Sequence, residues 1–542
     1  MLRFGGEYLL DIVVSFVFWY PIILGISWGV NATIFYIRRE KSAPLPLNET
    51  PFVSILVPCY NEEKIIKSTI KKLSELDYPD YEIIVINDGS TDSTVTIVKE
   101  LLRKHNRLRL IDQMRNLGKA NALKLGLIAA KGEILVCVDA DAYLEKKSLN
   151  YIIPHFTTPN NSERVGAVIF NPRVLNKQTI FGKIQSIEHI GIISMIKRAQ
   201  RILGKIITVS GIATAYRKRA IIDSGVWDTK MLCEDTDIAW SLQRRHWDIR
   251  FEPRAVAWTL VPMTIFSIVK QRFRWATGVI QALLKNVNIL KSYKQCRLYL
   301  VCLEQFLTII WSCFWIIVLT FYIFDESLRN QYFTTFIWIS AYTTISLIIF
   351  IVSGLIIDRV YEKKTTKDIL FAGILPLIYV YMGAITIFFA IPNTFLHKRK
   401  GKPIWNTIDR FTSKHIFKRG IELGVIIISS IIILFSIINF FLSLILWTIS
   451  PEVIFNNQII KDAINLTAFT FSTTIDIVYL VVFIGVLWGI YNKKKYGKRR
   501  YREFPVKTTI KDIVTTFNIE DEVINTFKGR LVTVEQNIFN KQ

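Results

Sequence analysis

Hydrophobic residues follow two patterns along this chain. One is the long apolar run, which occurs first at residues 12–37 and then five times after residue 297, at about 298–324, 333–357, 369–391, 423–448 and 467–490. A helix rises about 1.5 Å per residue, so about 20 apolar residues cross the hydrocarbon core of a bilayer. These runs predict a membrane anchor at residues 1–41 and a membrane region at residues 298–491.

Residues 42–297 show the second pattern, in which short β-branched runs alternate with helix-periodic segments. The predicted strands are residues 52–57, 81–86, 109–111 and 133–138, and the predicted helices are residues 62–76, 91–105 and 119–131. Alternating strands and helices indicate a parallel sheet covered on both faces, and such sheets bind ligands at the carboxyl ends of their strands. We therefore predict an α/β domain over residues 42–260 with functional residues just after its strands.

Charge places this domain relative to the membrane. Basic residues at 38, 39 and 41 directly follow the first apolar run, whereas the charges before it are mixed. The positive-inside rule then puts the α/β domain in the cytoplasm. If all five later runs were spans, the basic loop 393–420 and the tail 492–542 would lie outside. We therefore predict five spans in all, with a re-entrant or interfacial element at residues 369–391, which Gly373 and Pro376 interrupt.

Composition narrows the class of protein. The 542 residues are 51% hydrophobic and carry 68 Lys and Arg against 44 Asp and Glu, a formal charge of +24, which excludes a disordered chain. A basic surplus fits nucleic acid, an anionic membrane face or a phosphorylated substrate. Because the densest basic clusters lie beside the apolar runs, nucleic-acid binding is disfavoured. The six cysteines show neither Cys-x-x-Cys spacing nor partner histidines, so we expect no zinc site and no disulfide framework.

Acidic residues follow two of the predicted strands. Asp88 lies in Asn-Asp-Gly-Ser, where a carboxylate can accept hydrogen bonds from a nucleotide, although these four residues are also an ordinary turn sequence. Asp139 and Asp141 can hold a divalent cation together with a diphosphate, although Asp-x-Asp is common on solvated loops. Two acidic strand ends in neighbouring α/β units converge on one crevice, which favours the functional interpretation.

Two further features belong to the same crevice. Tyr60 and Glu62 follow the first strand and offer an aromatic face for a base and further polar groups. Lys119 stands near a predicted helix start, a position that suits a diphosphate and equally suits a solvated charge. Together these residues predict a nucleotide-diphosphate site with a metal, Mg²⁺ or Mn²⁺.

Three downstream segments make the chain resemble the family 2 glycosyltransferases, whose catalytic domain has the GT-A fold. They are residues 209–213, which include Ser210 and Gly211, residues 232–237, Leu-Cys-Glu-Asp-Thr-Asp, and residues 270–278, which include Gln-Arg-Phe-Arg-Trp. They resemble the acceptor loop, the Thr-Glu-Asp motif and the Gln-x-x-Arg-Trp motif of the processive membrane members. The resemblance covers residues 50 to about 280 and implies an α/β GT-A domain on a helical membrane region, with interfacial helices at residues 261–297.

Within this family the chain is most similar to bacterial poly-N-acetylglucosamine synthases. The likeness rests on the acceptor loop, on Gly-Val-Trp-Asp at 225–228 and on Val-Pro-Met-Thr-Ile at 261–265. Hyaluronan, chitin and cellulose synthases share the core motifs and remain alternatives. Cys233 stands where the family commonly has Thr, and Met263 stands where these synthases commonly have Glu. The second departure weakens the assignment of the product.

The resemblance implies a role for each motif residue. It assigns the uridine to Glu62 and Asp88, the nucleotide and metal to Asp139, the metal to Asp141, the general base to Asp235 with Glu234 beside it, and the diphosphate and acceptor sugar to Gln271, Arg274 and Trp275. Asp237 is a competing base, which would share the face of Asp235 on a strand but not on a helix. Arg274 and Trp275 could instead anchor a helix at the lipid headgroups.

The resemblance therefore implies a metal-dependent, inverting UDP-sugar transferase of the plasma membrane, with a cytoplasmic catalytic domain. It would polymerise a β-linked polysaccharide, best matched by UDP-N-acetylglucosamine as donor, and translocate the product; an accessory membrane or export subunit is left open. The alternatives are a non-processive transferase with a lipid acceptor and a transporter subunit that only binds nucleotide sugar. Residues 176–206 and 262–296 have the pattern of helices on a membrane face or of ordinary amphipathic core helices.

Overall fold

The catalytic-type domain is built on one large sheet. The computed structural model describes residues 2–159, 162–291, 295, 298–363, 369–397, 418–448, 505–535 and 537–539, with isolated positions between 476 and 494. Its nine strands are β1 (Val53–Cys59), β2 (Tyr81–Asp88), β3 (Leu108–Gln113), β4 (Ile134–Val138), β5 (Ala142–Leu144), β6 (Val165–Val174), β7 (Ala213–Arg217), β8 (Asp248–Thr259) and β9 (Leu531–Val534). They lie in the order β5-β8-β6-β7-β4-β1-β2-β3-β9.

The parallel part of the sheet is the part that the sequence predicts. Strands β4, β1, β2 and β3 are parallel neighbours, with Leu56 of β1 opposite Ile84 of β2 and Cys137 of β4. Beyond them the sheet is mixed rather than wholly parallel, because β7 runs antiparallel to both β4 and β6. The prediction of a parallel sheet is therefore corrected to a mixed sheet, while an α/β GT-A-like domain is confirmed.

Helices cover both faces of the parallel strands, because successive strand side chains point to opposite faces. The helices that pack on these strands are α2 (Ile66–Ser74), α3 (Thr94–Leu102) and α4 (Lys119–Ala129). The short helices α5 (Ser148–Ile152) and α6 (Pro154–Thr157) pack on β6 and β8, and the long helix α1 (Leu2–Phe35), which precedes the domain, packs on later helices. Leu56 and Ile86 pack towards α4, whereas Ile55 and Val57 belong to the core on the other face. A Cβ at Gly126 would lie 3.1 Å from both Leu56 and Ile86, so the missing side chain lets α4 lie close on the sheet.

The second half of the domain contains the helices in which the residues of the family motifs lie. They are α7 (Ile180–Glu188), a π-helical turn (His189–Ile193), α8 (Ser194–Leu203), α9 (Lys218–Asp223), α10 (Glu234–Arg244) and α11 (Ile265–Asn286), which ends in a 3₁₀ turn (Val287–Lys291). The segment from α7 to α8 packs against α1 and against a later long helix. Helix α11 leaves Ile265, Phe266 and Val269 exposed, as expected for a helix with one lipid-facing side.

The apolar runs that the structure describes form long helices. They include α12 (Tyr299–Phe324), α13 (Glu326–Asp358), a broken segment of a 3₁₀ turn (Phe371–Gly373), α14 (Leu375–Leu377) and a π-helical turn (Ile378–Met382), then α15 (Gly383–His397) and α16 (Lys418–Thr448). Three candidate spans are long and apolar enough to cross a membrane among the described residues: Ile12–Glu40, Tyr299–Phe324 and Phe371–Leu396.

The span count predicted from charge remains a prediction. The run at 369–391 is helical but broken near Gly373 and Pro376, and by length and composition it could either cross or re-enter. Shorter apolar helices occur at Thr343–Asp358 and Leu423–Ile438. Most of the basic loop 393–420 and most of the run 467–490 lie outside the described residues.

A buried group of ion pairs joins the α/β domain to the membrane helices. Arg198 of α8 donates to both oxygens of Glu40, at 2.8 and 2.9 Å, and to Asp358 at 2.7 Å. Arg173 of β6 donates to the other oxygen of Asp358 at 2.8 Å. The side chains of both arginines and of Asp358 have no exposed surface. We call these four residues, with Lys177 and Glu362 beside them, the junction cluster.

The end of the chain returns to the catalytic sheet, which the sequence did not indicate. Helices α17 (Ile510–Phe517) and α18 (Asp521–Thr526) precede β9, and β9 pairs in parallel with β3 from Leu110 opposite Leu531 to Gln113 opposite Val534. Thr509 caps α17 through a capping box with Asp512. The tail predicted as a separate segment thus contributes an edge strand to the domain.

Candidate active site

The ends of three adjacent strands define the site. In the sheet order β4-β1-β2, the strands end at Val138, Cys59 and Asp88, so the residues that follow them lie at one edge of the sheet. The loop after β1 is tied to the loop after β2, because Asn61 Oδ1 accepts a hydrogen bond from the Thr91 amide at 2.8 Å. Tyr60 is half-buried and Glu62 is buried in this tied pair of loops.

Asp88 organises the loop that leads into α4. Its Oδ1 accepts from the Leu117 amide at 2.9 Å and from Gln113 Nε2 at 2.7 Å, and its Oδ2 accepts from the Gly118 amide at 2.8 Å. Burial raises the pKa of Asp88 to about 6, although these donors favour its ionised form. Gly89 must be glycine here, since its φ is 71° and a Cβ would lie 2.5 Å from the Asn116 amide nitrogen. In this structure Asp88 therefore holds the loop that ends at Lys119.

Lys119 connects two motifs that are far apart in the sequence. Its Nζ lies 2.6 Å from Asp139 Oδ1 and 3.0 Å from Glu234 Oε1. Burial disfavours the charged form of Lys119, but the two carboxylates outweigh burial and raise the pKa above its usual value. Burial also disfavours an ionised Glu234, but Lys119 offsets this and the pKa of Glu234 is lowered. The interpretation of Lys119 as a solvated charge is excluded, because its side chain is only 19% exposed.

Asp235 stands beside this ion pair and next to the predicted acceptor loop. A Cβ at Gly211 would lie 3.0 Å from Asp235 Oδ2 and 3.6 Å from Lys119 Nζ, so the loop passes directly over both groups. Burial, and then the neighbouring charge of Glu234, raise the pKa of Asp235 to about 6. A carboxylate with that pKa is ionised at neutral pH and can still accept a proton, as a general base must.

Asp237 belongs to a different place in the structure. Residues 234–244 form a helix, so Asp237 does not share the face of Asp235, as the periodicity of a helix requires. The Asp237 side chain is 1% exposed and pairs with Lys285 at 2.9 Å, and Lys285 also pairs with Asp228 at 2.7 Å. The geometry therefore favours Asp235 over Asp237 as the base.

Helix α11 packs tightly against the start of α10. A Cβ at Gly278 would lie 2.3 Å from Cys233 Sγ, which only glycine avoids without movement of the backbone. Gln281 Oε1 accepts from the Leu232 amide at 3.1 Å, and Cys233 Sγ faces the Arg274 carbonyl oxygen at 3.8 Å. These contacts hold the Glu234–Asp235 pair against the helix that carries the Gln-x-x-Arg-Trp motif.

The residues of that motif have different surroundings. Gln271 and Trp275 are half-buried and Arg274 is exposed, with its charge close enough to lower the pKa of Asp235 against the larger effect of burial. The face of Trp275 is covered in this structure by the Arg272 guanidinium, 4.8 Å from the ring centroid.

Sequence reasoning did not find the residues that fix this part of α11. Arg272 forms an ion pair with the buried Glu188 of α7, and Tyr379 donates a hydrogen bond to the same carboxylate at 2.7 Å. Arg272 thus links the Gln-x-x-Arg-Trp helix both to α7 and to the broken membrane segment. The position of Arg272 inside the motif could have indicated its importance, whereas no pattern in the sequence indicates that Glu188 is its partner.

The predicted metal ligands have suitable chemistry but do not form a cluster. Asp139 and Asp141 are hard oxygen ligands that flank one tight turn, which the Ala142 amide closes on the Asp139 carbonyl oxygen at 2.9 Å. No group of three or more His, Cys, Asp or Glu that could hold a metal ion occurs among the residues that the structure describes. This donor set fits Mg²⁺ or Mn²⁺, which keep few protein carboxylates and take phosphate oxygens or water as their other ligands.

Comparisons with known proteins show which proteins this chain resembles. Residues 54–225 match the model of glycosyl transferase family 2. A poly-β-1,6-N-acetyl-D-glucosamine synthase of Staphylococcus epidermidis is 36% identical over 413 residues, which are 73% of this chain and 98% of that protein. The corresponding synthase of Staphylococcus aureus is 34% identical over 412 residues, with the same coverage. A mannosyltransferase from Pyrobaculum calidifontis, solved with GDP-Man and Mn²⁺, is 20% identical over 66% of this chain and all of that one, with a TM-score of 0.49.

The chain belongs to glycosyltransferase family 2. Within that family it is similar, over almost the whole length of those proteins, to bacterial poly-β-1,6-N-acetyl-D-glucosamine synthases.

Proposed function

We propose that this protein is a membrane-embedded, inverting transferase that polymerises a β-linked polysaccharide from UDP-N-acetylglucosamine and translocates it. The observation that carries the proposal is the meeting of Lys119 with Asp139, Glu234 and Asp235. These residues come from three separate motifs, and Gly211 of the acceptor loop lies against two of them. The choice of sugar rests on the similarity to poly-N-acetylglucosamine synthases.

The proposed reaction is a single displacement. An acceptor hydroxyl attacks the anomeric carbon, the bond from that carbon to the diphosphate breaks, and Asp235 takes the proton of the hydroxyl. Asp235 suits this role because it is ionised at neutral pH and lies beside the acceptor loop. Lys119 and Arg274 supply positive charge for the diphosphate, and Trp275 supplies an apolar ring for a sugar. The buried Asp88 fixes the loop beneath the nucleotide.

We propose that Asp139 and Asp141 hold Mg²⁺ or Mn²⁺ together with the donor diphosphate. The ion would supply positive charge to the leaving diphosphate. The part of this chain is to present two carboxylates and to hold one of them, Asp139, beside Lys119 at 2.6 Å. Because Lys119 shares that carboxylate, we expect donor and metal to bind together rather than singly.

The return of the tail to the sheet bears on topology. Strand β9 pairs with β3, so residues 505–535 lie on the same side of the membrane as the catalytic domain. This pairing supports an even number of membrane crossings between residues 298 and 505. Five spans in all, with residues 369–391 re-entrant, satisfy this condition, whereas six spans do not. We propose this arrangement in the plasma membrane, with the catalytic domain in the cytoplasm.

Two rivals predict different products. A transferase with a lipid acceptor would make a single short product, and a transporter subunit would release no UDP. The test is purified full-length protein in lipid nanodiscs, given radiolabelled UDP-N-acetylglucosamine with Mg²⁺ or Mn²⁺. We expect UDP release and a polymer sensitive to a hydrolase of β-1,6-linked poly-N-acetylglucosamine. UDP release with only lipid-extractable product would overturn processivity, and no release with any UDP-sugar would overturn the proposal.

A further inference from the structure

The edge of the sheet at β3 is built to be covered. Strand β3 has the sequence Leu-Arg-Leu-Ile-Asp-Gln, and all six residues are buried. Without a neighbouring strand on its outer side, β3 would be the edge of the sheet and a site of aggregation. Strand β9 covers it: the Leu110 amide donates to the Arg530 carbonyl oxygen at 2.8 Å, and the Met114 amide donates to the Val534 carbonyl oxygen at 3.1 Å. The C-terminal segment thus satisfies backbone groups of the catalytic sheet.

A buried arginine holds this C-terminal segment. Arg109 Nη1 donates to Glu82 at 2.6 Å and to the Ala129 carbonyl oxygen at the end of α4 at 2.9 Å. Its Nε donates to the Gly529 carbonyl oxygen at 3.2 Å, and its Nη2 donates to that of Phe527. Arg109 is 5% exposed, and two of its partners belong to the C-terminal segment. One guanidinium therefore ties the tail to both β2 and α4.

The pairing between β3 and β9 ends next to the donor site. Gln113 is opposite Val534, and its Nε2 donates to Asp88 Oδ1 at 2.7 Å while its Oε1 accepts from Asn121 of α4 at 2.8 Å. The backbone of Gln113 is fixed by β9, and its side chain fixes Asp88. Gln113 therefore connects the C-terminal strand directly to Asp88, which holds the loop before Lys119.

The tail also contacts the helix that starts at Lys119. Lys124 of α4 lies over the ring of Phe539, 5.6 Å from its centroid, and Phe539 packs against Phe517 of α17 at 5.4 Å. The loop at residues 114–118 is consequently held on both flanks, by β9 through β3 and by the tail through α4. This loop carries the backbone amides of Leu117 and Gly118, which donate hydrogen bonds to Asp88.

We propose that residues 505–539 are a positioning element for the donor site, which sets nucleotide affinity by bracing Gln113 and α4. The inference rests on the proposed function, since it assumes that Asp88 and Lys119 serve a nucleoside diphosphate. The segment acts on donor binding and not on the transfer step, because it touches neither Asp235 nor the acceptor loop among the described residues.

Two proline variants test the pairing in the full-length chain. The carbonyl groups of Arg530 and Val534 point to β3. Because backbone groups alternate in direction along a strand, the amide of Val532 also points to β3, whereas the amide of Thr533 points away from it. Val532→Pro removes a ladder donor, whereas Thr533→Pro is the matched control. We expect Val532→Pro to weaken UDP binding, measured by titration calorimetry, by about tenfold, the effect of one hydrogen bond to a charged group. We expect Thr533→Pro to bind as the parent does.

Kinetics and rescue separate positioning from general damage. For Val532→Pro we expect KM for the UDP-sugar to rise by about tenfold with kcat within about twofold, and a synthetic peptide of residues 505–542 to restore affinity. If Val532→Pro does not fold, Val534→Asp breaks the same pairing by placing a charge at a buried position. Equal UDP affinity in parent and variants, or equal losses in both proline variants, would overturn the inference. A parent protein that binds no UDP would instead overturn the proposed function.

Discussion

Two buried groups of charges in this protein look alike in composition but differ in balance. In the site, Lys119 pairs directly with Asp139 and Glu234, whereas the neighbouring Asp235 has no direct ion pair among the described residues and feels the charges of Lys119, Arg274 and the buried Lys197 only at longer range. We call this cluster unbalanced because one of its carboxylates has no direct partner. In the junction cluster, three basic side chains face three acidic ones, and the arginines and Asp358 are completely buried.

The difference shows how a binding site can be distinguished from a cluster of ion pairs that is only structural. A balanced buried cluster has satisfied its charges and can only hold elements together, at a desolvation cost that makes it a weak source of stability. A buried carboxylate without a direct ion-pair partner, as Asp235 is, keeps a raised pKa, and a cluster that is still partly open to solvent leaves room for a ligand. Incomplete pairing and residual exposure, more than burial, distinguish the cluster at Lys119 from the junction cluster.

The largest effect should come from removing the base in the unbalanced cluster. Asp235→Asn should lower kcat by about a thousandfold, within the range for a lost general base, and leave UDP affinity nearly unchanged. The control is Asp237→Asn, which lies on the same helix and should retain most activity because Asp237 pairs with Lys285 instead. UDP release by both variants would be measured; equal activity in the two would remove Asp235 from the mechanism.

In the balanced cluster, the effect should appear in stability and not in turnover. Arg198→Met should lower the free energy of unfolding by about 3 kcal/mol, because it strands the buried Glu40 and half of the pairing of Asp358. Arg201→Met, on the same helix but in a more exposed pair with Asp248, should cost about 1 kcal/mol. Thermal unfolding in detergent measures both; a loss of kcat at low temperature in Arg198→Met would contradict a purely structural role.

Removing the shared cation should weaken donor binding. Lys119→Met should raise KM for the UDP-sugar by about thirtyfold, since three carboxylates would then repel the diphosphate. Lys119→Arg keeps the charge and should lose less. The comparison would fail if Lys119→Met bound UDP as tightly as the parent in titration calorimetry.

The smallest effect is the response to pH. Asp235 must be ionised to accept a proton and its pKa is about 6, so kcat/KM should fall about tenfold per unit as the pH drops below that value. Lys119→Met should move this midpoint upwards, because Lys119 favours the ionised form of Asp235. A profile that is flat between pH 5 and 8, measured by UDP release with saturating acceptor, would count against Asp235 as the base.

Local pattern was enough to predict the parallel strands and the convergence of their acidic ends. Those strands are apolar over consecutive residues, and the positions after them are fixed by the chain itself, so Asp88 and Asp139 could be placed at one edge. The face of Asp237 could not be decided, because that depends on whether residues 234–244 are helical, which their tertiary packing on α11 settles.

Two features had no local signal. β9 has only four residues, two of them exposed, and its existence depends on the open edge of β3 more than 400 residues earlier. The junction cluster joins residues from four distant segments, and an isolated arginine in a sequence does not indicate which acid it will meet. Long-range pairing of this kind is determined by the assembled structure, and single-sequence patterns do not contain it.

The parallel pairing of β9 with β3 also sets the order of events during synthesis. The sheet begins to form when residue 53 leaves the ribosome, but its last edge waits for residue 534, after every intervening membrane helix has been made. Until then the backbone groups of β3 that pair with β9 stay open. A nascent chain that stops within the membrane region would therefore leave β3 as an unpaired strand edge, which is a site of aggregation.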